Sequence, residues 1–239
     1  MRSFFLCILG FYYSATLSAD TVIRFETSNA RTPDTIEIKD SKIRLSNIND
    51  PVITLFDYKS KKLTLLNQDD ESYYQITEKG LKKVVRKLKQ LQADMKKGLS
   101  PQQQAQLDKV FEKQGLSFNM DATKRTIKKG KSSNIKGIDC DIYTTFVDGQ
   151  IYAKHCVATG RYIGINSVDF RTYLHLMYFL KQTAFGLASI DPAMQNGFNG
   201  MPLASYDAKG NIVSKFISVR SLNIDKALFS IPTDYRKVN

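Results

Sequence analysis

The chain has 239 residues, of which 35 are Lys or Arg and 23 are Asp or Glu, so its formal net charge is +12. A chain of this length can bury a sizeable core and fits one domain as well as two. The excess positive charge favours an anionic partner, although a well-hydrated, lysine-rich surface would give the same composition.

The first nineteen residues have the pattern of a secretory signal peptide. Arg2 supplies the positive charge, and the apolar run 4–13 suits the hydrophobic region of a signal but is too short to span a membrane. We place cleavage between Ala19 and Asp20, which leaves residues 20–239 as a single domain with a net charge of +11. We therefore expect a periplasmic or secreted protein. Its partners would be anionic lipid headgroups or other envelope polyanions, and not nucleic acid.

Apolar residues recur at every second position in five segments between residue 20 and about residue 74. This alternation is the period of a β-strand with one buried face. We predict an antiparallel meander with one apolar face, which another part of the chain must cover. The five pairs are Ile23/Phe25, Ile36/Ile38, Ile43/Leu45, Ile53/Leu55 and Leu63/Leu65.

The apolar period becomes helical between Thr77 and Gly98, which predicts an amphipathic helix. Ser100, Pro101 and Gln103 then have the pattern of an N-cap, a first-turn proline and a capping-box glutamine, so a second helix is predicted over about 101–114. Together they form a helical hairpin, inserted at about 77–114, laid against the sheet or over its mouth. The apolar positions of the first helix are Leu81, Val84, Val85, Leu88, Leu91, Met95 and Leu99.

The opposite face of the first helix is basic, and it has two interpretations. Lysine-rich amphipathic helices bind anionic membrane surfaces. Alternatively, the apolar face packs on the sheet and the lysines are simply hydrated, since neither Trp nor Phe lies on the apolar side to anchor the helix in lipid. The cations that would contact an anionic surface or an envelope protein are Lys82, Lys83, Arg86 and Lys87.

Two strands and a turn are predicted after a basic stretch, residues 123–136, that we expect to be flexible. A three-residue turn with Gly149 in the left-handed conformation places Cys140 directly opposite Cys156. Signal cleavage removes Cys7, so these two cysteines remain as a pair in an oxidising compartment. We predict a structural disulfide between them.

Residues 168–180 are apolar almost all round, which predicts a helix that is buried or that covers a cavity. Its His175 is expected to be a core or rim histidine rather than a ligand. Methionines beside aromatic residues here and in the following Gly-rich loop suit a gate over an apolar ligand, whereas ordinary core packing accounts for the same residues. The residues that we expect to line or gate a cavity are Phe25, Ile36, Phe170, Tyr173, Met177, Met194 and Phe198.

The sequence carries no recognised catalytic or cofactor motif. The patterns HExxH, GxSxG and the dinucleotide glycine fingerprint are absent, and the phosphate-loop-like residues 130–132 lack the required upstream glycine, which Arg125 replaces. The hairpin register sets His155 opposite Asp141, but no nucleophile is near, so we interpret them as a surface pair. We expect no enzyme activity, cofactor or metal, although the scattered carboxylates leave a carboxylate-based hydrolase open.

Three short motifs carry a family resemblance: Ile-Lys-Gly-Ile-Asp-Cys at 135–140, Gly-Met-Pro-Leu at 200–203, and Phe-x-Ile-Pro-x-x-Tyr at 229–235. They resemble an uncharacterised family of exported bacterial proteins that looks like the outer-membrane lipoprotein carriers in fold. The resemblance implies an α+β fold in which a curved antiparallel half-barrel has its concave, apolar face covered by helices. The residues alone predict the same incomplete barrel, made of the five N-terminal strands, the hairpin and final strands at 202–206 and 212–222, with the helices as its cover.

We therefore expect an extracytoplasmic, non-catalytic protein that binds an apolar or amphipathic ligand, such as a lipid or an acyl chain, in the concavity of the sheet. The alternative is a cell-envelope interaction or scaffolding module. In that hypothesis the basic helix contacts an anionic membrane surface or a protein partner.

Overall fold

The computed structural model describes residues 20–28, 32–113, 125–147, 149–182 and 199–238. Within these ranges the protein is mostly one large, open, mixed sheet with a few helices, which confirms the expected α+β class. The predicted signal peptide, residues 1–19, lies outside the described residues.

The strands and helices follow one another in four groups along the described chain. The first group is β1 (Asp20–Thr27), β2 (Thr35–Lys39), β3 (Lys42–Asn47), β4 (Asp50–Asp57), β5 (Lys62–Asn67) and β6 (Ser72–Thr77). The second is α1 (Glu78–Lys96) and α2 (Pro101–Lys113). The third is β7 (Arg125–Ile135), β8 (Ile138–Val147), β9 (Gln150–Ala158), α3 (Gly160–Ile163) and α4 (Ser167–Gln182). The last is β10 (Met201–Asp207), β11 (Ile212–Leu222), a 3₁₀ turn (Lys226–Phe229) and β12 (Arg236–Lys237).

The twelve strands of the described ranges lie in the order β12-β6-β5-β4-β3-β2-β1-β11-β10-β9-β8-β7. Neighbouring strands are antiparallel except β12, which is parallel to β6. Strand β1 pairs with β2 on one side and with β11 on the other, where Asp20 faces Leu222. The β1–β11 pairing therefore joins the N-terminal meander to the strands that come late in the chain.

Both faces of the sheet carry apolar clusters, whereas only one apolar face was predicted. The main cluster lies on the face that α4 covers, where the rings of Phe56 and Phe179 are 5.5 Å apart. On the opposite face, Val22 packs with Phe229, and Leu55 packs in a cluster that Ile231 joins. The C-terminal segment 224–235 therefore acts as a second cover.

The five predicted N-terminal strands are present, and a sixth, β6, follows them. Strand β6 has large side chains on both of its sides, because Ile76 packs against the main cluster and Tyr73 packs against the opposite one. The alternation of apolar and polar residues is weak in such a strand, so the sequence pattern did not reveal it.

Strand β7 lies where a flexible stretch, residues 123–136, was expected. It pairs with β8 and is the edge strand of the sheet that the described residues form. Residues 127–134 are all exposed, so neither side of the strand shows the apolar period that identifies a strand. Lysines along such an edge also oppose pairing with a second sheet.

The two predicted helices of the insertion are confirmed as α1 and α2, and so are the residues that begin them. Thr77 Oγ1 accepts the backbone N–H of Gly80 at 3.0 Å and caps α1. At the start of α2, the Ser100 N–H donates to Gln103 Oε1 at 2.9 Å, and the Gln103 N–H donates to Ser100 Oγ at 3.4 Å. This reciprocal pair is the predicted capping box.

Candidate functional site

The residues predicted to line a ligand cavity belong to the main core wherever the structure describes them. Three of them are at most 3% exposed, namely Ile36, Tyr173 and Met177. The other two, Phe25 and Phe170, are partly buried at the margin of the cluster. Met194 and Phe198 lie outside the described residues. The five described residues are thus members of one packed region.

Aromatic contacts hold the two marginal residues in place. The ring of Phe25 lies edge-on to Phe216 with centroids 6.1 Å apart, and Phe170 stacks on Tyr173 at 6.2 Å. Phe170 also lies against Gly160, where an added Cβ would be 2.4 Å from a ring carbon. The absence of a side chain at Gly160 therefore lets the short helix α3 approach α4 closely.

Hydrogen bonds at its first turn fix the start of α4. Asn166 Oδ1 accepts the backbone N–H groups of Val168 and Asp169 at 3.0 and 2.9 Å. Thr21 Oγ1 donates to Asp169 Oδ2 at 2.5 Å, which ties the helix to β1. Burial raises the pKa of the Asp169 carboxyl, and the hydrogen bonds from Thr21 and Asn166 oppose that rise.

Helix α4 has one buried and one exposed side, although its sequence is apolar almost all round. Leu176 is fully buried, whereas Val168 and Tyr178 are 58% and 61% exposed. His175 is half-buried and stacks on Tyr58 with ring centroids 4.1 Å apart. It is a rim histidine, as predicted.

Cys140 and Cys156 form a disulfide between β8 and β9, with their Cα atoms 5.3 Å apart. The predicted register is wrong by two residues, because Cys156 faces Ile142. The turn has two residues rather than three, and a β-bulge interrupts the ladder close to it. Cys140 is two residues before Ile142 on β8, so the disulfide joins diagonal neighbours of the β8–β9 ladder. On its other side, Cys140 faces Ser133 of β7. Gly149 has a φ of +82°, as the turn prediction requires.

His155 is buried, so the predicted surface pair with Asp141 is wrong. It faces Tyr143 across the β8–β9 ladder, and its Nδ1 is 3.1 Å from Oγ of Ser205 in β10. Burial lowers the pKa of His155 to about 4, so the imidazole is neutral at pH 7. Asp141 forms an ion pair with Lys129 at 2.7 Å instead.

Helix α1 exposes both cations and apolar side chains. Of the four cations predicted to contact a partner, the side chain of Lys82 lies outside the described part, and the other three are exposed. These three are Lys83, Arg86 and Lys87. Leu91 and Met95 are 55% and 46% exposed. The expectation that the apolar face packs on the sheet is therefore wrong for these two side chains.

Five of the exposed residues recur at every fourth position of α1, so they follow one ridge of the helix, which turns by about 40° around the axis at each step. We call this set the α1 ridge; it consists of Lys79, Lys83, Lys87, Leu91 and Met95. It is about 24 Å long at 1.5 Å per residue. Two lysines of the ridge, Lys79 and Lys83, line a surface cavity of about 510 Å³ together with Thr77, Gly80 and Arg86. The ridge is thus cationic at one end and apolar at the other.

The lysines of the α1 ridge keep their charge available to solvent. Among the described residues, the ion pairs of this region join Glu78 to Lys61 at 3.7 Å and Asp94 to Lys97 at 2.6 Å. The hydrogen bond to Asp94 raises the pKa of Lys97. Neither pair includes a ridge lysine, so the positive potential of the ridge is not cancelled locally.

No family model, no curated protein and no solved structure matches this chain. In the described ranges, the helices are all too short or too polar to cross a membrane. The same ranges hold no group of three or more His, Cys, Asp or Glu side chains placed to bind a metal ion. The assignment of the α1 ridge and its cavity as the candidate site rests on their geometry and charge.

Proposed function

We propose that this chain is a non-catalytic, extracytoplasmic protein that binds amphipathic lipid, and that the α1 ridge is the surface that contacts it. The observation that carries the proposal is the exposure of Leu91 and Met95 on the ridge that also bears three lysines, of which Lys87 is one turn before Leu91. Apolar side chains on an amphipathic helix gain free energy on entering a lipid interface, and neighbouring ammonium groups are attracted to anionic headgroups.

The partner that fits the ridge best is an anionic membrane surface of the cell envelope. Each lysine near such a surface contributes about 1 kcal/mol, and partial burial of the two apolar side chains adds roughly 1 kcal/mol each. The ridge turns around the helix, so a flat surface would not contact all five side chains at once and the sum of about 5 kcal/mol is an upper limit, which corresponds to weak, reversible binding. The net charge, which is +11 once Arg2 is removed from the +12 of the whole chain, would strengthen the initial attraction.

Co-sedimentation with lipid vesicles tests this proposal. We expect the protein to bind phosphatidylglycerol vesicles and not phosphatidylcholine vesicles, and we expect Lys79→Gln/Lys83→Gln/Lys87→Gln to lose the binding. A matched control removes the same charge from exposed lysines elsewhere, at Lys59, Lys209 and Lys226. Equal losses in both triple variants would show general charge attraction and contradict a ridge. Retention by envelope fractions without vesicle binding would instead support a protein partner for the same helix.

A second candidate is a lipid or acyl chain bound within the fold. In this proposal the sheet curves into a half-barrel, and α4 with the α1–α2 hairpin covers its concave face. The supporting observation is that α4 packs on β2 and β3, while Phe25 and Phe170 remain partly exposed at the margin of the core. An acyl chain entering there would have to displace buried side chains such as Met177.

Native mass spectrometry of protein purified from an envelope extract, followed by solvent extraction, tests the second candidate. A discrete co-purifying lipid mass would support binding within the fold. A mass equal to that of the protein alone would contradict it and leave the α1 ridge as the lipid contact.

A further inference from the structure

We propose a separate binding site, for a small organic carboxylate with a short apolar chain, on the sheet face opposite α4. A cavity of about 300 Å³ lies between strands β3–β6 and residues 229–231, at the end of the 3₁₀ turn. Cavities that bind small molecules in proteins begin at about this size. The site contains no residue of α1, so it does not depend on the membrane proposal.

The polar side of the cavity is a row of charged residues on three adjacent strands. Lys42 faces Asp57 across β3–β4, and Asp57 faces Lys62 across β4–β5. Asp57 Oδ1 accepts the backbone N–H groups of Lys59 at 2.9 Å and Ser60 at 3.1 Å, so the β4–β5 turn already uses this carboxylate. Two lysines therefore flank one carboxylate, and the row has a net positive charge.

Both lysines of the row are half-buried, which reduces the water that competes for their ammonium groups. The ion pairs found among the described residues do not include Lys42 or Lys62. In contrast, Arg44, two residues after Lys42 on the same side of β3, pairs with Glu37. The cavity thus keeps two cationic donors that an anionic ligand can use.

The apolar side of the cavity is formed by Leu55 of the next row and by the C-terminal segment. Leu55 faces Thr64, and Thr64 faces Gln75, whose Nε2 donates to Thr64 Oγ1 at 3.3 Å. Leu55 and Phe229 are 7% and 6% exposed, and Ile231 packs against the cluster that contains Leu55. Apolar surface therefore lies directly beside the charged row.

This combination selects the chemical class of the ligand. A carboxylate has two acceptor oxygens, which can receive charge-assisted hydrogen bonds from Lys42 and Lys62. A short alkyl chain attached to it would leave water by packing against Leu55 and Phe229, which are themselves already buried. An amine of the same length would meet two like charges and one carboxylate, Asp57, whose Oδ1 already accepts two backbone N–H groups. An alcohol would provide no charge for the ammonium groups.

Isothermal titration calorimetry of the purified full chain with hexanoate tests the site. We expect saturable binding of one hexanoate, with hexylammonium and hexan-1-ol binding at least about tenfold more weakly. Lys42→Gln and Lys62→Gln should each weaken hexanoate binding about tenfold, because each removes one charge-assisted hydrogen bond. Lys59→Gln is the matched control, since Lys59 is exposed in the β4–β5 turn near the cavity but does not line it.

Absence of saturable hexanoate binding would overturn the proposal, and so would equal binding of hexylammonium. Unchanged affinity in both lysine variants would also overturn it. If a variant fails to fold, methyl NMR of the unmodified protein with added hexanoate tests the site instead. Hexanoate should then shift the methyl resonances of Leu55 and Ile231 and not those of Leu91; the same shift at all three would contradict the site.

Discussion

Burial of the His155 side chain makes the stability of the fold depend on pH. Its pKa is about 4 in the folded chain, against an ordinary value of 6.5, because the imidazole is buried. Between these two values the unfolded chain binds a proton that the folded chain does not. The stability that the neutral imidazole of His155 contributes is therefore fully present above pH 6.5 and is lost as the pH falls towards 4.

We expect this single histidine to lower the free energy of unfolding by on the order of 3 kcal/mol between about pH 6.5 and pH 4. Urea unfolding at a series of pH values, with His155→Gln as the comparison, measures the effect. The raised pKa of Asp169 acts in the opposite direction, but it is present in both proteins, so their difference isolates His155. Identical pH dependence in the two proteins would contradict the assignment.

A second prediction at this scale concerns the contact between α3 and α4. Gly160→Ala should destabilise the fold by about 1–3 kcal/mol, because its Cβ would be 2.4 Å from the Phe170 ring. Gly130→Ala is the matched control, since its Cβ would meet the Ile142 carbonyl oxygen at 3.5 Å, an ordinary contact. Urea unfolding of both variants should show a clear loss only for Gly160→Ala. Equal stability of the two would show that Phe170 moves aside freely.

Among the elements, the β8–β9 hairpin depends on its disulfide. A bond that closes a loop of about 15 residues contributes on the order of 3 kcal/mol, so we expect Cys140→Ser/Cys156→Ser to lower the melting temperature clearly. Treatment of the original protein with a reductant should give the same shift. A melting temperature that neither change affects would mean that the β7–β8–β9 ladder is stable without the bond.

The elements also show where sequence reasoning succeeds and where it stops. Strands such as β2 and β3 alternate cleanly because one side meets the core, and the capping box at Ser100 and Gln103 is local, so both were predictable. Strand β7 lies at an exposed edge and has no such alternation. The register of Cys140 and Cys156 was missed because a β-bulge near the turn shifts the ladder, and a bulge has no clear sequence signal here.

Across the whole molecule, the sheet is covered by α4 on one face and by the C-terminal segment on the other. The second cover was not predicted, because it depends on residues such as Val22 and Phe229 that are about two hundred positions apart. The same limit applies to the candidate site. The basic, amphipathic character of α1 could be predicted, but the exposure of Leu91 and Met95 depends on which elements pack against the helix.

The C-terminal cover leads to a prediction about global stability. Phe229→Ala should cost about 3–5 kcal/mol, because it leaves a cavity against Val22 and Ile224. Leu228→Ala in the same 3₁₀ turn is the control, since Leu228 is 43% exposed and should lose less than about 1 kcal/mol. Urea unfolding gives both values. Similar losses for the two variants would mean that the segment does not pack as a cover.

The most direct test of lipid contact by the α1 ridge is the fluorescence of Leu91→Trp. The chain contains no tryptophan, so this residue would be the only indole and would report from the apolar half of the ridge. We predict that its emission shifts to the blue when phosphatidylglycerol vesicles are added and stays constant with phosphatidylcholine vesicles, because the indole enters the interface only when the lysines hold the helix there. Emission that is unchanged by either type of vesicle would contradict the proposal.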